Sequence, residues 1–263
     1  MKFAVLADLH FGPDGYWNDK KRTIHKTFRK DLRNFIKEVN SSVKLSFVIA
    51  LGDLIAGENK IKDIRGINKT RRILSKLKSQ VYHLVGNHDL KNISEKEFLK
   101  LINQQSSYYS FDKEDYHFIV LDTLSKKNKS LNIDQTQLAW LKRDLASTKK
   151  KTIIFTHYSL ADQDLKGNPW FEGAPDFCLV KNRKEVRKIL EDSKKVLAVI
   201  NGHLHWNNKK IHKGIPYFTI QSLVENEGDK GIGTGAYAIV ELKKNKISID
   251  VKGRYPISFS KSI

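Results

Sequence analysis

The chain has one cysteine, Cys178, among 263 residues. That excludes an internal disulfide framework and a cysteine-rich zinc site, and it points to a reducing, cytoplasmic home. No apolar run approaches the ~20 residues of a membrane-spanning helix, so no membrane association is expected. Met1 to Asp8 carries one lysine and a very short apolar run. A charged leader, a longer apolar segment and a cleavage site are missing, and no signal peptide is expected. Linkers, internal repeats and low-complexity tracts are lacking too, which leaves one layered domain over 1–263 as the expectation. Acidic residues are scarce: 29 Asp and Glu stand against 48 Lys and Arg, a formal net charge of +19. Such a balance suits polyanionic partners, nucleic acid included. The basic residues are spread along the chain (Lys20–Arg22, Lys149–Lys151, Lys194–Lys195, Lys209–Lys210, Lys243–Lys244) rather than gathered in one arm. A pattern of that kind reads first as a solvated surface.

What is present is a succession of short apolar runs, each closed by polar residues. Phe3 to Ala7 runs into Asp8-Leu9-His10-Phe11-Gly12, Leu45 to Leu51 into Gly52-Asp53, and Val81 to Val85 into Gly86-Asn87-His88-Asp89. Lys150 to Phe155 runs into Thr156-His157, and Val196 to Ile200 into Asn201-Gly202-His203-Leu204-His205. Between them lie amphipathic periods. Ile24, Phe28, Leu32, Phe35, Ile36 and Val39 predict a helix from Asp19 to Val39, and further helices are predicted near Gly66–Ser79, Ser94–Ile102 and Arg183–Leu190. Asp134 and Gln137 suggest a capping box ahead of Leu138, Leu141 and Leu145. Tyr108–Phe111 and Tyr116–Leu121 read as strands. Ile215–Ile220, Ala236–Leu242 and Ile247–Val251 read as strands without helices between them, which implies a partly antiparallel second sheet. Residues 158–180 show no period and form a long loop, and loops of that length inside a domain are usually functional. Arg254 to Ile263 is expected to be a strand end and a loose tail. Strands alternating with helices argue for a layered α/β fold with its site at the carboxyl ends of the strands.

Those strand ends carry the chemistry. Asp8, His10, Asp53, Asn87, His88, His157, His203 and His205 come from separate segments and reach one edge of a sheet. Carboxylate and neutral imidazole together suit borderline divalent cations. Alternation along a strand would let His203 and His205 face one site, and Gly202 suits a tight turn there. His25, His83, His117 and His212 fall in a helix, within strands or in a connection, and read as structural.

Asp8-Leu9-His10, Gly52-Asp53, Gly86-Asn87-His88-Asp89, His157 and Gly202-His203-Leu204-His205 resemble the five ordered motifs of the calcineurin-like metallophosphoesterase superfamily. The resemblance spans residues 8 to 205. It implies a four-layer fold, two mixed β-sheets forming a central sandwich flanked by helices. It also implies two divalent metals, Mn or Fe first, with Zn, Co, Ni or Mg as alternatives. Carried over residue by residue, Asp8, His10 and His205 would bind the first metal and Asn87, His157 and His203 the second, with Asp53 bridging. His88 would be the catalytic acid or charge stabiliser beside the phosphate, and Asp89 would orient it by accepting its other ring hydrogen. A hydroxide held by the metals would attack phosphorus in line. Asp134-Gln135-Thr136-Gln137-Leu138-Ala139-Trp140-Leu141 resembles a helix start of the class III cyclic-nucleotide phosphodiesterase-like, ADP-ribose/CDP-alcohol diphosphatase-like and purple-acid-phosphatase-like branches. The tyrosinate ligand of purple acid phosphatases has no counterpart here, since Ala56 stands where it is expected.

The resemblance therefore implies a phosphodiesterase or pyrophosphohydrolase of a nucleotide-like small molecule. A DNA or RNA nuclease and a broad phosphomonoesterase are alternatives on the same site. A non-catalytic scaffold, like retromer's phosphoesterase-like subunit, fits less well, because His88 and all seven ligand positions are present. Trp170, Phe171 and Trp206 are candidate substrate contacts, with Asn207, Phe11 and Tyr16 behind them. Trp170 and Phe171 would either stack on a base or plug the loop.

Overall fold

Two six-stranded sheets pack face to face, with helices on both outer faces, in a mixed α/β architecture. The computed structural model describes residues 1–42, 44–124 and 131–262. In chain order the elements are β1 (Lys2–Leu6), β2 (Gly15–Trp17), β3 (Lys20–Thr23), α1 (Phe28–Ser42), β4 (Val48–Ala50), α2 (Lys60–Leu74), β5 (Val81–His83) and α3 (Glu95–Leu101). There follow β6 (Tyr109–Lys113), β7 (Tyr116–Val120), α4 (Gln135–Ser147), β8 (Lys151–Thr156), α5 (Arg183–Ser193) and β9 (Val196–Asn201). The last five are β10 (Asn208–His212), β11 (Ile215–Thr219), β12 (Tyr237–Lys243), β13 (Lys246–Lys252) and β14 (Ile257–Ser262).

The first sheet has the order β14-β13-β12-β1-β4-β5, and the second β10-β11-β9-β8-β7-β6. β1, β4 and β5 are parallel, as are β7, β8, β9 and β11. Period-two alternation divides β1 between two cores. Phe3, Val5 and Ala7 face the second sheet, where Phe3 stacks on Phe47 (4.7 Å between centroids) and meets Phe118 and Phe155 edge-on. Ala4 and Leu6 face the opposite way, toward Phe28, Leu32 and Phe35 of α1 and Ile67 of α2. Leu138, Leu141 and Leu145 of α4 and Val186 and Leu190 of α5 cover the outer face of the second sheet. A full burial of each such side chain is worth ~1.5–3 kcal/mol, so both outer layers are held by apolar area rather than by their many surface charges.

Four expectations need correction. The helix predicted from Asp19 begins at Phe28; Lys20–Thr23 pairs instead with Gly15–Trp17. Asn18 and Asp19 both take positive φ (47° and 57°), the conformation that closes a tight hairpin, so His25 lies ahead of the helix. The C-terminal strands do not all lie in the second sheet: β11 joins it and, with β10, makes it partly antiparallel as expected, but β12 and β13 extend the first sheet from the free edge of β1. The expected loose tail is β14, which pairs with β13 from Val251↔Ile257 to Lys246↔Ser262; Ile263 lies outside the described residues. Finally, Asp134 caps α4 by accepting from Gln137 N, but the Gln137 side chain turns inward to the Asp122 backbone (2.9 Å in both directions). The reciprocal capping box is at Ser94 and Glu97.

Candidate metal centre

β1, β4 and β5 are parallel neighbours in one sheet, and β8 and β9 in the other, so their carboxyl ends meet at one edge of the sandwich. All eight strand-end residues converge there. Ligand atoms within 4.8 Å of one another form three overlapping sets: Asp8, His10 and His205; His10, Asp53 and His88; Asp53, His157 and His203. Asn87 completes the last set from the side, its Oδ1 3.1 Å from His157 Nε2. Asp53 Oδ2 lies 3.6 Å from His10 Nε2 and 3.5 Å from His157 Nε2, between the outer sets. Asp8, Asp53 and His157 are fully or almost fully buried, and His10, His203 and His205 nearly so.

The backbone at this edge is unusual. Asp8, His10, Asp53, His203 and His205 have φ of 50°, 42°, 51°, 65° and 53°, the left-handed region that L-residues avoid at a cost of ~1–2 kcal/mol each. Turning left-handed where the strand ends is what aims these side chains back across the sheet edge, and the surrounding core must offset the strain. Strand alternation is therefore not what brings His203 and His205 together; each is aimed by its own loop residue. Two glycines permit close approach. A Cβ on Gly86 would lie under 3.0 Å from the Asp53 carboxylate and backbone nitrogen, and one on Gly202 would lie 2.6 Å from Asp8 Oδ2.

Each ring is fixed by its other nitrogen. His157 Nδ1 donates to Leu51 O (2.8 Å), His203 Nε2 to Phe177 O (3.1 Å), and His205 Nδ1 to Glu225 Oε2 (2.8 Å). That leaves His157 Nε2, His203 Nδ1 and His205 Nε2 turned to the centre, lone-pair donors once deprotonated, the arrangement typical of metal-binding histidines. Burial holds His10 and His203 well below the usual imidazole range. Burial pushes Asp8 up to about 6, against the pull of His205 and His157. Burial also opposes the charge on Asp53 and on His157, yet the attraction between them wins: Asp53 falls well below the usual carboxylate range and His157 rises to about 9.

The donor set fits divalent cations. Asp8, Asp53 and Asp89 are buried carboxylates with no Lys or Arg ion pair among the described residues. Buried carboxylates call for cationic partners, and mixed O and N donors suit a borderline metal better than Ca or Mg.

Asp89 does not do what the motif resemblance implies. Its Oδ2 accepts from Asp53 N (2.9 Å) and Gly86 N (3.0 Å), and its Oδ1 from Leu54 N (2.8 Å). With three backbone donors on it, this carboxylate shapes the Asp53 loop, while the His88 ring is held through Nδ1 by Ala56 O at 2.6 Å. Burial, reinforced by Asp53, pushes the Asp89 pKa well up against those donors.

The aromatic candidates separate. Trp170 stands beside His205 (5.2 Å, 70°) and Trp17 (6.0 Å, 32°), its indole N–H on Glu225 Oε2 at 2.9 Å. Phe171 packs on His203 (4.8 Å) and, with Trp206, against the cluster of Leu165, Cys178, Leu179 and Leu204. Asn207 Oδ1 accepts from Gln221 N, Phe11 sits against His25 and Phe28, and Tyr16 is 61% exposed on the β2–β3 hairpin. Trp17 and Glu225 escape the sequence reading. Trp17 falls inside a stretch that reads as leading into a helix, and Glu225 belongs to no local motif. The remaining histidines lie away from the centre: His25 packs against Phe11 and Phe28, His83 is buried and lowered to about 4, His117 sits between Asp112 and Asp144, and His212 meets Glu191.

Among the described residues, no helix is long and apolar enough to cross a membrane. Known proteins bear on the rest. Manganese-dependent ADP-ribose/CDP-alcohol diphosphatase of Arabidopsis thaliana is 21% identical, over 95% of this chain and 93% of that protein. The Xenopus tropicalis protein of the same name is 25% identical, over 85% of this chain and 84% of its own. A dimetal phosphatase from Danio rerio superposes with a TM-score of 0.81 at 18% identity, covering 99% of this chain and 98% of that one, which shows a shared fold. Residues 1–207, a span holding all eight convergent strand-end residues, match the profile of the calcineurin-like phosphoesterases, and the chain belongs to that family.

Proposed function

We propose that this chain hydrolyses a phosphodiester or pyrophosphate bond in a nucleotide-like small molecule, with two divalent metals, manganese foremost. The observation that carries the reading is the run of three ligand sets joined through His10 and Asp53, with His88 at their open side. Asp8, His10 and His205 would hold one cation and Asn87, His157 and His203 the other, with Asp53 placed between the two sets. When bound, such a pair supplies Lewis acidity to the phosphoryl oxygens and a nucleophile from water near neutral pH. His88 is the catalytic side chain. Its Nδ1 is committed to Ala56 O, so Nε2 would be the nitrogen free to meet the reacting phosphate, either to stabilise its charge or to protonate the leaving oxygen. A role of that kind typically contributes ~10²–10⁴-fold.

Manganese is named in both curated relatives; iron is compatible with the donor set alone. The diphosphatase names of those relatives favour a pyrophosphate-linked substrate over a polymer. Trp170, on the rim beside His205 and Trp17, offers a face on which a base can stack. The single buried Cys178 fits a reducing compartment.

The test is a substrate panel on protein stripped with chelator and reloaded with Mn: ADP-ribose, a CDP-alcohol, a cyclic nucleotide, bis(p-nitrophenyl) phosphate, p-nitrophenyl phosphate and single-stranded DNA. Mn-dependent cleavage of the pyrophosphates, lost in the chelated protein and reduced at least ~100-fold in His88→Ala, is expected. Cleavage of DNA alone would transfer the site to a nuclease, and full activity after chelation would end the metal reading.

A further inference from the structure

Glu225 belongs to none of the ligand sets, yet it is only 2% exposed at the edge of the site. It lies in the connection that follows β11 and is pinned through its backbone on both sides. Thr23 at the end of β3 pairs with it, and its carbonyl accepts from Thr234 N at 2.9 Å. Its side chain has two bonds, both on Oε2: His205 Nδ1 at 2.8 Å and the Trp170 indole N–H at 2.9 Å. Oε1 is buried with no hydrogen-bond partner among the described residues. The whole hydrogen-bonding capacity that this buried carboxylate uses is thus directed at one candidate metal ligand and one residue of the 158–180 loop.

The other rings are held differently. His157 and His203 donate their second nitrogens to backbone carbonyls, of Leu51 and Phe177. His205 alone of the three leans on a carboxylate. A carboxylate behind an imidazole fixes the tautomer and makes the opposite nitrogen a better donor. Here the opposite nitrogen is His205 Nε2, 3.0 Å from His10 Nε2 inside the first ligand set.

We propose that Glu225 is a positioning residue that aims and strengthens His205 as a ligand of the first metal and ties Trp170 of the loop to that same ligand. Through one oxygen, loading of the first cation and the posture of the loop become linked. The proposal rests on the two-metal reading above. It adds a residue from a segment beyond the stretch that matches the family profile, which ends at residue 207.

The test uses the full chain, stripped with chelator and titrated with Mn by calorimetry, with indole emission followed in parallel. Wild type is expected to take two Mn, with a Trp170-dependent emission change that Trp170→Phe removes. Glu225→Ala should weaken one of the two binding steps by ~10–100-fold and leave the other in place. The emission change should then follow the weakened step. Glu225→Gln keeps an oxygen for both N–H donors and should recover most of the affinity, a rescue that loss of fold would not show. Zn-loaded wild type adds a readout that needs no Glu225 variant. Long-range ¹H–¹⁵N spectra, with His205→Asn to assign the ring, should place the His205 proton on Nδ1. Two wild-type Mn steps in Glu225→Ala, or a His205 proton on Nε2, would overturn the proposal. A wild-type chain that takes fewer than two Mn would remove the two-metal reading and this inference with it.

Discussion

The tightest point of the centre is Gly86, and Gly86→Ala makes a demanding test of its geometry. The φ of Gly86 is not in the left-handed region, so alanine is acceptable to the backbone and the effect is steric alone. The new methyl would stand under 3.0 Å from Asp53 Oδ1, Cγ and N, where ordinary contacts begin at 3.4 Å. Two of those three neighbours belong to a side chain locked by His88 N at 2.8 Å, and the third is backbone held by Asp89. Nothing flexible can yield, so Asp53 must retreat by roughly 1 Å, a misplacement that can cost ~10²-fold in rate. In barrier height that is about 2.7 kcal/mol. Overpacking of a filled core should cost a further ~1–3 kcal/mol of stability. Turnover of bis(p-nitrophenyl) phosphate with Mn, Mn content by elemental analysis and thermal melting would be read on the same preparation. A folded Gly86→Ala protein with two Mn and near-wild-type turnover would refute the placement of Asp53 between the two ligand sets.

Two further outcomes follow from neighbouring chemistry. Asp89→Asn should turn an amide N–H toward at least one of the three backbone donors that Asp89 now accepts. A loss of ~1–3 kcal/mol is expected, read as a fall of several degrees in melting temperature, with the His88–Ala56 contact untouched. A shifted pH–rate profile with an unchanged melting point would instead restore Asp89 as the orienter of His88. On the far side of the second sheet, His117 donates to Asp112 (2.6 Å) and Asp144 (2.8 Å). Burial works against its charge, but Asp144 and Asp112 outweigh it and raise the pKa above 6.5. The contribution to stability is therefore complete below about 6.5 and fades as pH rises through the raised value. Chemical denaturation from pH 6 to 9 should show wild type losing its advantage over His117→Asn. A constant gap across that range would contradict the assignment.

Much of the centre was legible because its residues sit at a repeated, recognisable place, the polar end of a short apolar run. Residues that act through tertiary contact were not. Asp89 stands next to His88 in sequence, but in space its oxygens belong to the Asp53 loop, and no spacing distinguishes the two uses. Glu225 meets His205 across a 20-residue excursion through β10 and β11. The β10 stretch, Asn208-Lys209-Lys210-Ile211-His212, is polar because it edges a sheet, so hydrophobic periodicity passes over it. β14 reads as a tail for the same reason. The hairpin of β2 and β3 is hidden by Ile24, which continues the period of α1 although it precedes the helix.

The place of β1 has a consequence in time. One of its edges is taken by β4, but the other pairs with β12, whose first residue lies about 230 positions downstream of Leu6. At ribosomal rates of ~5–20 residues per second, on the order of 10–50 s separates the two during synthesis. For that interval the strand that leads to Asp8 and His10 has an open edge of unpaired backbone between apolar side chains. A nascent chain halted before Tyr237 should accordingly bind chaperones and aggregate, though every residue of the metal centre has already been made.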